Sequence, residues 1–146
     1  MFRTMGSRAG KKGPRNPVVT ACYCAQGHNL VGASAKFGPH FGIDINLKTD
    51  SQEGLLSLSP VIGDRRRRFF DFEPVEGEIV DISCPTCSES LPVYDICTCG
   101  AYLVSLFSSP GGDFANCIGI CQRIGCLHSE IKSNRELRIF SKFRIF

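Results

Sequence analysis

The residues of this sequence that could carry out chemistry are its cysteines. Nine of the 146 residues are cysteine, which is an unusually high number. Four of them lie in two short turns, Cys84-Pro85-Thr86-Cys87 and Cys97-Thr98-Cys99-Gly100. Four thiolates brought to one point form a donor set that zinc binds tetrahedrally. Proline and glycine favour the tight turns that such an arrangement needs. The spacing therefore predicts a first zinc site formed by Cys84, Cys87, Cys97 and Cys99.

Two further groups of metal-ligating residues flank these turns. They are Cys22, Cys24 and His28 on one side and Cys117, Cys121, Cys126 and His128 on the other. The second of these groups either makes its own site or joins the first, and a site that unites the two would join the start of the domain to its end. We therefore predict a second zinc site formed by Cys24, His28, Cys121 and Cys126. The alternative ligands for it are Cys22, Cys117 and His128.

Two other uses of the second group stay open. An iron–sulfur cluster is the alternative cofactor, because four thiolates also hold such clusters. The nearby histidines favour zinc, and the cysteine spacing of 117–126 is not that of a ferredoxin. A redox-active dithiol is a third use of these cysteines.

The C-P-x-C turn of 84–87 and the C-x-C-G turn of 97–100 resemble the paired knuckles of the zinc-ribbon superfamily. The resemblance covers roughly residues 80–107, and the one-residue gap between Cys97 and Cys99 departs from the commonest pattern. It implies a zinc-stabilised ribbon with the four cysteines as ligands. It also implies an interaction module, since zinc ribbons serve mainly in transcription, in translation and as accessory subunits of enzymes.

Hydrophobic periodicity favours antiparallel β structure. Residues 42–48 alternate apolar and polar side chains, as a half-buried strand does, and 55–62 are the predicted hairpin partner. Residues 69–72 and 78–82 predict a second pair of strands, and 101–107 predict a strand that returns from the cysteine turns. The 15 glycines, the 8 prolines and the absence of tryptophan also fit short strands and turns.

One short helix is predicted near residues 113–124. Asp113 is a suitable N-cap, and Gly125 is a suitable terminator. Cys117 and Cys121 would share a face of this helix at a spacing of four residues. The predicted fold class is therefore mainly β, with antiparallel hairpins built around a zinc ribbon and one short helix.

The charge distribution divides the chain into three parts. Residues 1–17 carry five basic and no acidic side chains, which predicts a basic disordered arm. Residues 18–128 hold seven basic and twelve acidic side chains and predict a single zinc-stabilised β domain. Residues 129–146 form a basic-aromatic tail with five basic and two acidic side chains. This tail either docks to a partner or completes the domain's own sheet.

A run of four arginines is the one strongly basic feature inside the acidic domain. Basic side chains beside aromatic ones bind single-stranded nucleic acid through charge and stacking, and Phe69 follows the run directly. The alternative is pairing with the acidic residues that follow, Asp71 and Glu73. The candidate nucleic-acid-binding residues are Arg65, Arg66, Arg67 and Arg68.

The function predicted from these features is that of a non-catalytic zinc-binding protein, an adaptor or structural subunit of a larger cytoplasmic assembly with a protein partner. The alternatives are a nucleic-acid-binding zinc-ribbon protein and an accessory iron–sulfur redox protein. We predict no catalytic residues and no small-molecule substrate, because no nucleophile elbow or phosphate loop is recognisable. The sequence contains no apolar run long enough to span a membrane, and its close cysteine pairs without a signal peptide favour a reducing compartment.

Overall fold

The computed structural model describes residues 17–126 and the strand Ser129–Lys132, and these residues form antiparallel sheets without any helix. The predicted mainly β fold is thus confirmed. The strands within these ranges are β1 (Val31–Phe37), β2 (His40–Lys48), β3 (Glu53–Leu58), β4 (Arg67–Phe70), β5 (Asp81–Ser83), β6 (Val93–Ile96), β7 (Tyr102–Phe107), β8 (Cys117–Cys121) and β9 (Ser129–Lys132).

The first sheet is organised around β2. One edge of β2 pairs with β3 over Ile43–Lys48, and this confirms the hairpin predicted from the alternation in 42–48. The other edge is shared, because β1 pairs with the first half of β2 and β5 pairs with its last three residues. Ile43, Ile45 and Leu47 are buried on one face of β2, which explains why alternation was a reliable signal for this strand.

The predicted pairing of 69–72 with 78–82 is wrong. β4 pairs instead with β3, and β5 pairs with β2 on the far side of the sheet. Leu56 lies opposite Phe69 and Leu55 lies opposite Phe70, so apolar cross-strand pairs stabilise the observed register. Asp71 follows β4 at a φ of 56°, where the chain turns out of the sheet.

The second sheet has the strand order β6-β7-β8-β9. The helix predicted near 113–124 is wrong, because β8 occupies its centre and pairs with both β7 and β9. Two isoleucines and Gly119 weaken helix formation in this segment. Gly119 also packs under Tyr94, since a Cβ there would lie 2.6 Å from the ring atom Cε1.

β9 takes the first four residues of the predicted tail, and its backbone completes the chain's own second sheet. Residues 133–146, and the predicted arm apart from Pro17, lie outside the described residues.

One hydrophobic core joins the two sheets. Ile45 and Leu47 from β2 belong to the same buried cluster as Val104 and Leu106 from β7. Each such side chain contributes about 1.5–3 kcal/mol when it is fully buried. Tyr23 forms a β-bridge with Phe107 at the end of β7. The segment 22–30, which precedes the first sheet in the chain, is therefore attached to the second sheet. This arrangement places the cysteine turns at the ends of strands.

Candidate metal centres

Four potential ligands from two distant parts of the chain meet in a group that we call site A. Their ligand atoms lie within 4.8 Å of one another. Cys24 Sγ is 3.4 Å from His28 Nδ1 and 3.9 Å from Cys87 Sγ. The members of site A are Cys24, His28, Cys84 and Cys87.

Two backbone turns build site A. In the first, Gly27 N–H donates to Cys24 O at 3.0 Å and Cys24 N–H donates to His28 O at 3.0 Å. In the second, which follows β5, Ser88 N–H donates to Cys84 O at 2.8 Å. Both turns therefore position their candidate ligands through local backbone hydrogen bonds.

A second group, site B, consists of four cysteines whose sulfur atoms also lie within 4.8 Å of one another. Two of them come from the turn between β6 and β7, where Gly100 adopts a φ of 98° and its N–H donates to Cys97 O at 2.9 Å. Cys121 ends β8, and Cys126 follows a turn in which its N–H donates to Arg123 O at 3.1 Å. The members of site B are Cys97, Cys99, Cys121 and Cys126.

The distances within each group fit a single tetrahedral ion. With Zn–S bonds of about 2.3 Å, two thiolates on one tetrahedral ion lie about 3.8 Å apart. The separations are 3.9 Å in site A and, in site B, 3.5 Å for Cys99–Cys121 and 3.7 Å for Cys97–Cys126. In a four-iron cluster each thiolate binds a different iron atom, which spreads the sulfurs farther apart. Both groups could therefore hold one metal ion, and a single iron ion shares this geometry with zinc.

Backbone N–H groups donate to sulfur in both sites at a constant spacing. The N–H two residues after the cysteine points at the sulfur for Cys24, Cys84 and Cys121, at 3.3, 3.3 and 3.4 Å. Such donors stabilise a thiolate and hold it in position for a metal ion. The two groups therefore have the hydrogen bonds expected around metal ligands as well as the ligands themselves.

Site B also has a cationic donor that the sequence analysis did not identify. Arg123 Nε donates to Cys99 Sγ at 3.5 Å, and its Nη1 donates to Gly77 O at 2.9 Å. The available sequence signal was its place two residues after Cys121, where its backbone N–H also reaches a sulfur. An arginine at this position offsets part of the negative charge that four thiolates bring together.

The pKa values of the thiols shift in both directions within the two sites, since burial raises the pKa of Cys121 in site B while hydrogen bonds lower the pKa of one cysteine in each site. Hydrogen bonds from the Ala101 backbone and from Arg123 lower the pKa of Cys99 to about 6. Burial raises the pKa of Cys24, but hydrogen bonds from the His28 and Gln26 backbone outweigh it and bring the pKa to about 7. Burial raises the pKa of Cys22 to about 12, so Cys22 stays a neutral thiol in the core.

The eight predicted principal ligands are the eight members of the two groups, but the structure combines their pairs differently. Cys84 and Cys87 were predicted to meet Cys97 and Cys99, and the structure places them beside the Cys24–His28 turn instead. The reason lies in the chain between the two turns. Leu91 N–H donates to Ile82 O at 2.8 Å, so the first turn closes on the first sheet while the second belongs to the β6–β7 hairpin.

The alternative ligands lie outside both groups or outside the described residues. Cys22 is fully buried in the shared core. Cys117 lies at the start of β8, and its Sγ donates to Phe114 O at 3.4 Å. His128 is outside the described residues.

The arginine run lies at the start of β4 and partly within it. Arg66 Nη2 pairs with Asp64 Oδ2 at 2.8 Å, so the described ion pair uses the acidic residue before the run rather than Asp71 or Glu73. Hydrogen bonds from Arg66 lower the pKa of Asp64 to about 2. Arg68 lies over the ring of Phe70, with 5.3 Å to the ring centroid.

No protein-family model, curated protein or solved structure matches this chain. The resemblance to zinc ribbons therefore has no family match behind it, and the four cysteines that suggested it belong to two different sites. Over the part of the chain that the structure describes, we find no helix with the length and apolarity needed to span a membrane.

Proposed function

We propose that this chain is a non-catalytic zinc protein that binds two Zn²⁺ ions, one in each site, and serves as an adaptor subunit of a larger cytoplasmic assembly. The observation that carries the proposal is the pair of four-ligand groups with tetrahedral spacing. Four protein ligands complete the coordination of zinc and leave no position for a water molecule. Ions bound in this way stabilise a fold and do not hydrolyse substrates.

Each ion would connect segments that the sheets alone leave far apart in sequence. In site A the ion links Cys24 to Cys87, which are 63 residues apart. In site B it links Cys99 to Cys121, which are 22 residues apart. Binding free energy at structural zinc sites is about 10–16 kcal/mol in small peptides and acts as folding free energy. A small two-sheet domain gains most from such links.

Exposed apolar side chains and charge segregation support the adaptor role. Large hydrophobic residues of the described chain leave about half of their surface in solvent, and two of them, Ile96 and Tyr102, lie opposite each other on β6 and β7, where adjacent exposed apolar side chains offer a contact for another protein. Basic ends on an acidic domain suit docking to a partner with complementary charge. The exposed residues are Phe41, Val75, Ile79, Val93, Ile96, Tyr102 and Phe114.

Elemental analysis of the full chain purified from its native cell tests the metal part of the proposal. We expect two zinc ions per chain and no visible absorption. Iron with visible absorption, or fewer than two tightly bound ions, would overturn the metal part of the proposal.

Size-exclusion chromatography of the same material tests the adaptor part. We expect elution in a stoichiometric complex that dissociates when the metal is chelated, and elution as a free monomer contradicts this part.

A second candidate function is binding of single-stranded nucleic acid. The observation that favours it is the stacking of Arg68 on Phe70 and of Arg66 on Phe37, since an arginine over an aromatic ring offers both charge and a stacking surface. Anisotropy with a labelled oligonucleotide should then show binding that weakens steeply with salt. Arg68→Glu should weaken oligonucleotide binding at any given salt concentration, and the control variant Glu89→Gln should not weaken it. No binding at low salt excludes this function.

A further inference from the structure

The two sites differ in whether their sulfur atoms can all be oxidised to disulfides. The sulfurs of site B lie in two close pairs, Cys99–Cys121 at 3.5 Å and Cys97–Cys126 at 3.7 Å. One pair joins the β6–β7 turn to the last residue of β8, and the other joins it to the turn that follows β8. Site A has three sulfurs and an imidazole, so one disulfide there leaves an unpaired thiol beside the histidine.

Site B also has more partly exposed cysteines than site A. Cys99 and Cys126 are partly exposed, one from each pair. Among the cysteines of site A only Cys87 is partly exposed, whereas Cys24 and Cys84 have 1% and 0% of their surface in solvent; the remaining ligand, His28, is also partly exposed but carries no sulfur. A small oxidant can therefore reach one member of each sulfur pair in site B.

Arg123 gives site B an electropositive neighbour. Its Nε donates to Cys99 Sγ at 3.5 Å, and among the described residues no arginine or lysine donates to a sulfur of site A. A guanidinium beside a reacting sulfur stabilises negative charge that develops on a departing group. Cys99 is thus the sulfur at which an attack on an oxidant would be assisted.

The segment that carries Arg123 is tied to the connection between β4 and β5. Ile124 N–H donates to Glu78 O at 2.8 Å, and Gly77 N–H donates to Ile124 O at 2.9 Å. Val80 N–H donates to Gln122 O at 3.0 Å. The segment between Cys121 and Cys126 is therefore hydrogen-bonded to the connection that leads into β5 of the first sheet.

We propose that site B is a peroxide-responsive zinc site, at which hydrogen peroxide releases the ion and forms the disulfides Cys99–Cys121 and Cys97–Cys126, while site A keeps its ion. The inference rests on the proposed function, because it requires zinc in both sites. Closing the disulfides replaces the ion by bonds of about 2.05 Å between sulfurs that lie 3.5 and 3.7 Å apart, which shifts the 122–126 segment and the connection 77–80 that is bonded to it. The adaptor would then change shape at this edge under oxidising conditions.

Each disulfide forms in two balanced steps. The Cys99 thiolate attacks one oxygen of hydrogen peroxide, the O–O bond breaks, and hydroxide leaves, which yields a sulfenic acid. The Cys121 thiolate then attacks the sulfenic sulfur, the S–S bond forms, and a second hydroxide leaves. The same steps join Cys97 to Cys126. In total, two peroxide molecules are reduced, four thiolates lose four electrons, four protons convert the hydroxides to water, and one Zn²⁺ is released.

The test uses the full chain with its metal content measured before oxidation. Hydrogen peroxide is added in increments while a chromogenic chelator reports free zinc, and the product is digested without reduction for mass spectrometry. We expect release of one of two ions, with peptides linking Cys99 to Cys121 and Cys97 to Cys126. Retention of both ions, joint release of both, or disulfides in site A would overturn the inference. A starting content below two zinc ions instead contradicts the proposed function.

Variants of Arg123 test its positioning role. Arg123→Gln should slow zinc release by about tenfold, the effect of losing one hydrogen bond to a charged group, and Arg123→Lys should restore part of the rate. Arg68→Gln is the matched control and should react like the unmodified chain. Equal rates for Arg123→Gln and the control, at equal starting zinc content, would show that the guanidinium plays no part. If Arg123→Gln does not fold, the disulfide map of the unmodified chain still decides the proposal.

Discussion

The loss of unfolding free energy expected when one candidate ligand of site A is replaced can be estimated from the length of the chain segment that the site closes. Cys87→Ser substitutes a weak hydroxyl ligand for a thiolate and should empty the site. The contact that it breaks closes a loop of 63 residues between Cys24 and Cys87. The chain-entropy relation for a cross-link of this length gives about 4 kcal/mol. The same relation gives about 3 kcal/mol for the 22 residues that Cys99 and Cys121 close in site B.

The assay is equilibrium unfolding in urea, with zinc content measured on each sample. We expect Cys87→Ser to lose one zinc ion and about 4 kcal/mol or more of unfolding free energy, which is a large part of the 5–15 kcal/mol typical of a domain. Cys22→Ala is the matched control because it removes a buried sulfur near Cys24 that is not a ligand. It should keep both ions and lose only about 1 kcal/mol through reduced packing. A Cys87→Ser protein that unfolds within about 1 kcal/mol of the unmodified chain would refute a structural role for site A.

Two further predictions concern packing and charge away from the ligands. Gly119→Val should destabilise the chain by about 1–3 kcal/mol, because its Cβ would lie 2.6 Å from Tyr94 Cε1 and the ring must move; thermal unfolding measures this, and an unchanged midpoint contradicts the packing of Tyr94 on β8. Arg66→Ala should raise the pKa of Asp64 from about 2 toward its ordinary value, since hydrogen bonds from Arg66 keep it low. That stabilisation is present at neutral pH and is lost as the pH falls toward 2, so an NMR titration of the Asp64 carboxyl group that does not change in the variant contradicts the ion pair.

Sequence reasoning succeeded where a local pattern decides the structure. The β2–β3 hairpin follows from alternation, because one face of β2 is buried. It failed at β8, because the four-residue spacing of Cys117 and Cys121 fits the period of a helix and also that of a strand. Residues four apart share a face of a helix and also share a face of a strand, and only the pairing with β7 and β9 distinguishes the two.

The candidate sites show the same division between local and long-range information. Spacing selected Cys24, His28, Cys84 and Cys87 as candidate ligands because a turn of three or four residues is a local property. Which turns meet depends on the sheets, since β5 carries its turn to the first sheet and the β6–β7 hairpin keeps the other in the second. Arg123 was missed because its contact with Cys99 bridges 24 residues that have no short-range pattern.

The most direct test of the account is to determine which ligands share an ion. The full chain is loaded with ¹¹³Cd in place of its native metal, and proton–cadmium correlation spectra identify the cysteines and the histidine coupled to each cadmium. We predict two resonances. One couples to Cys24, His28, Cys84 and Cys87, and the other couples to Cys97, Cys99, Cys121 and Cys126. A single cadmium coupled to Cys84, Cys87, Cys97 and Cys99 would contradict the account.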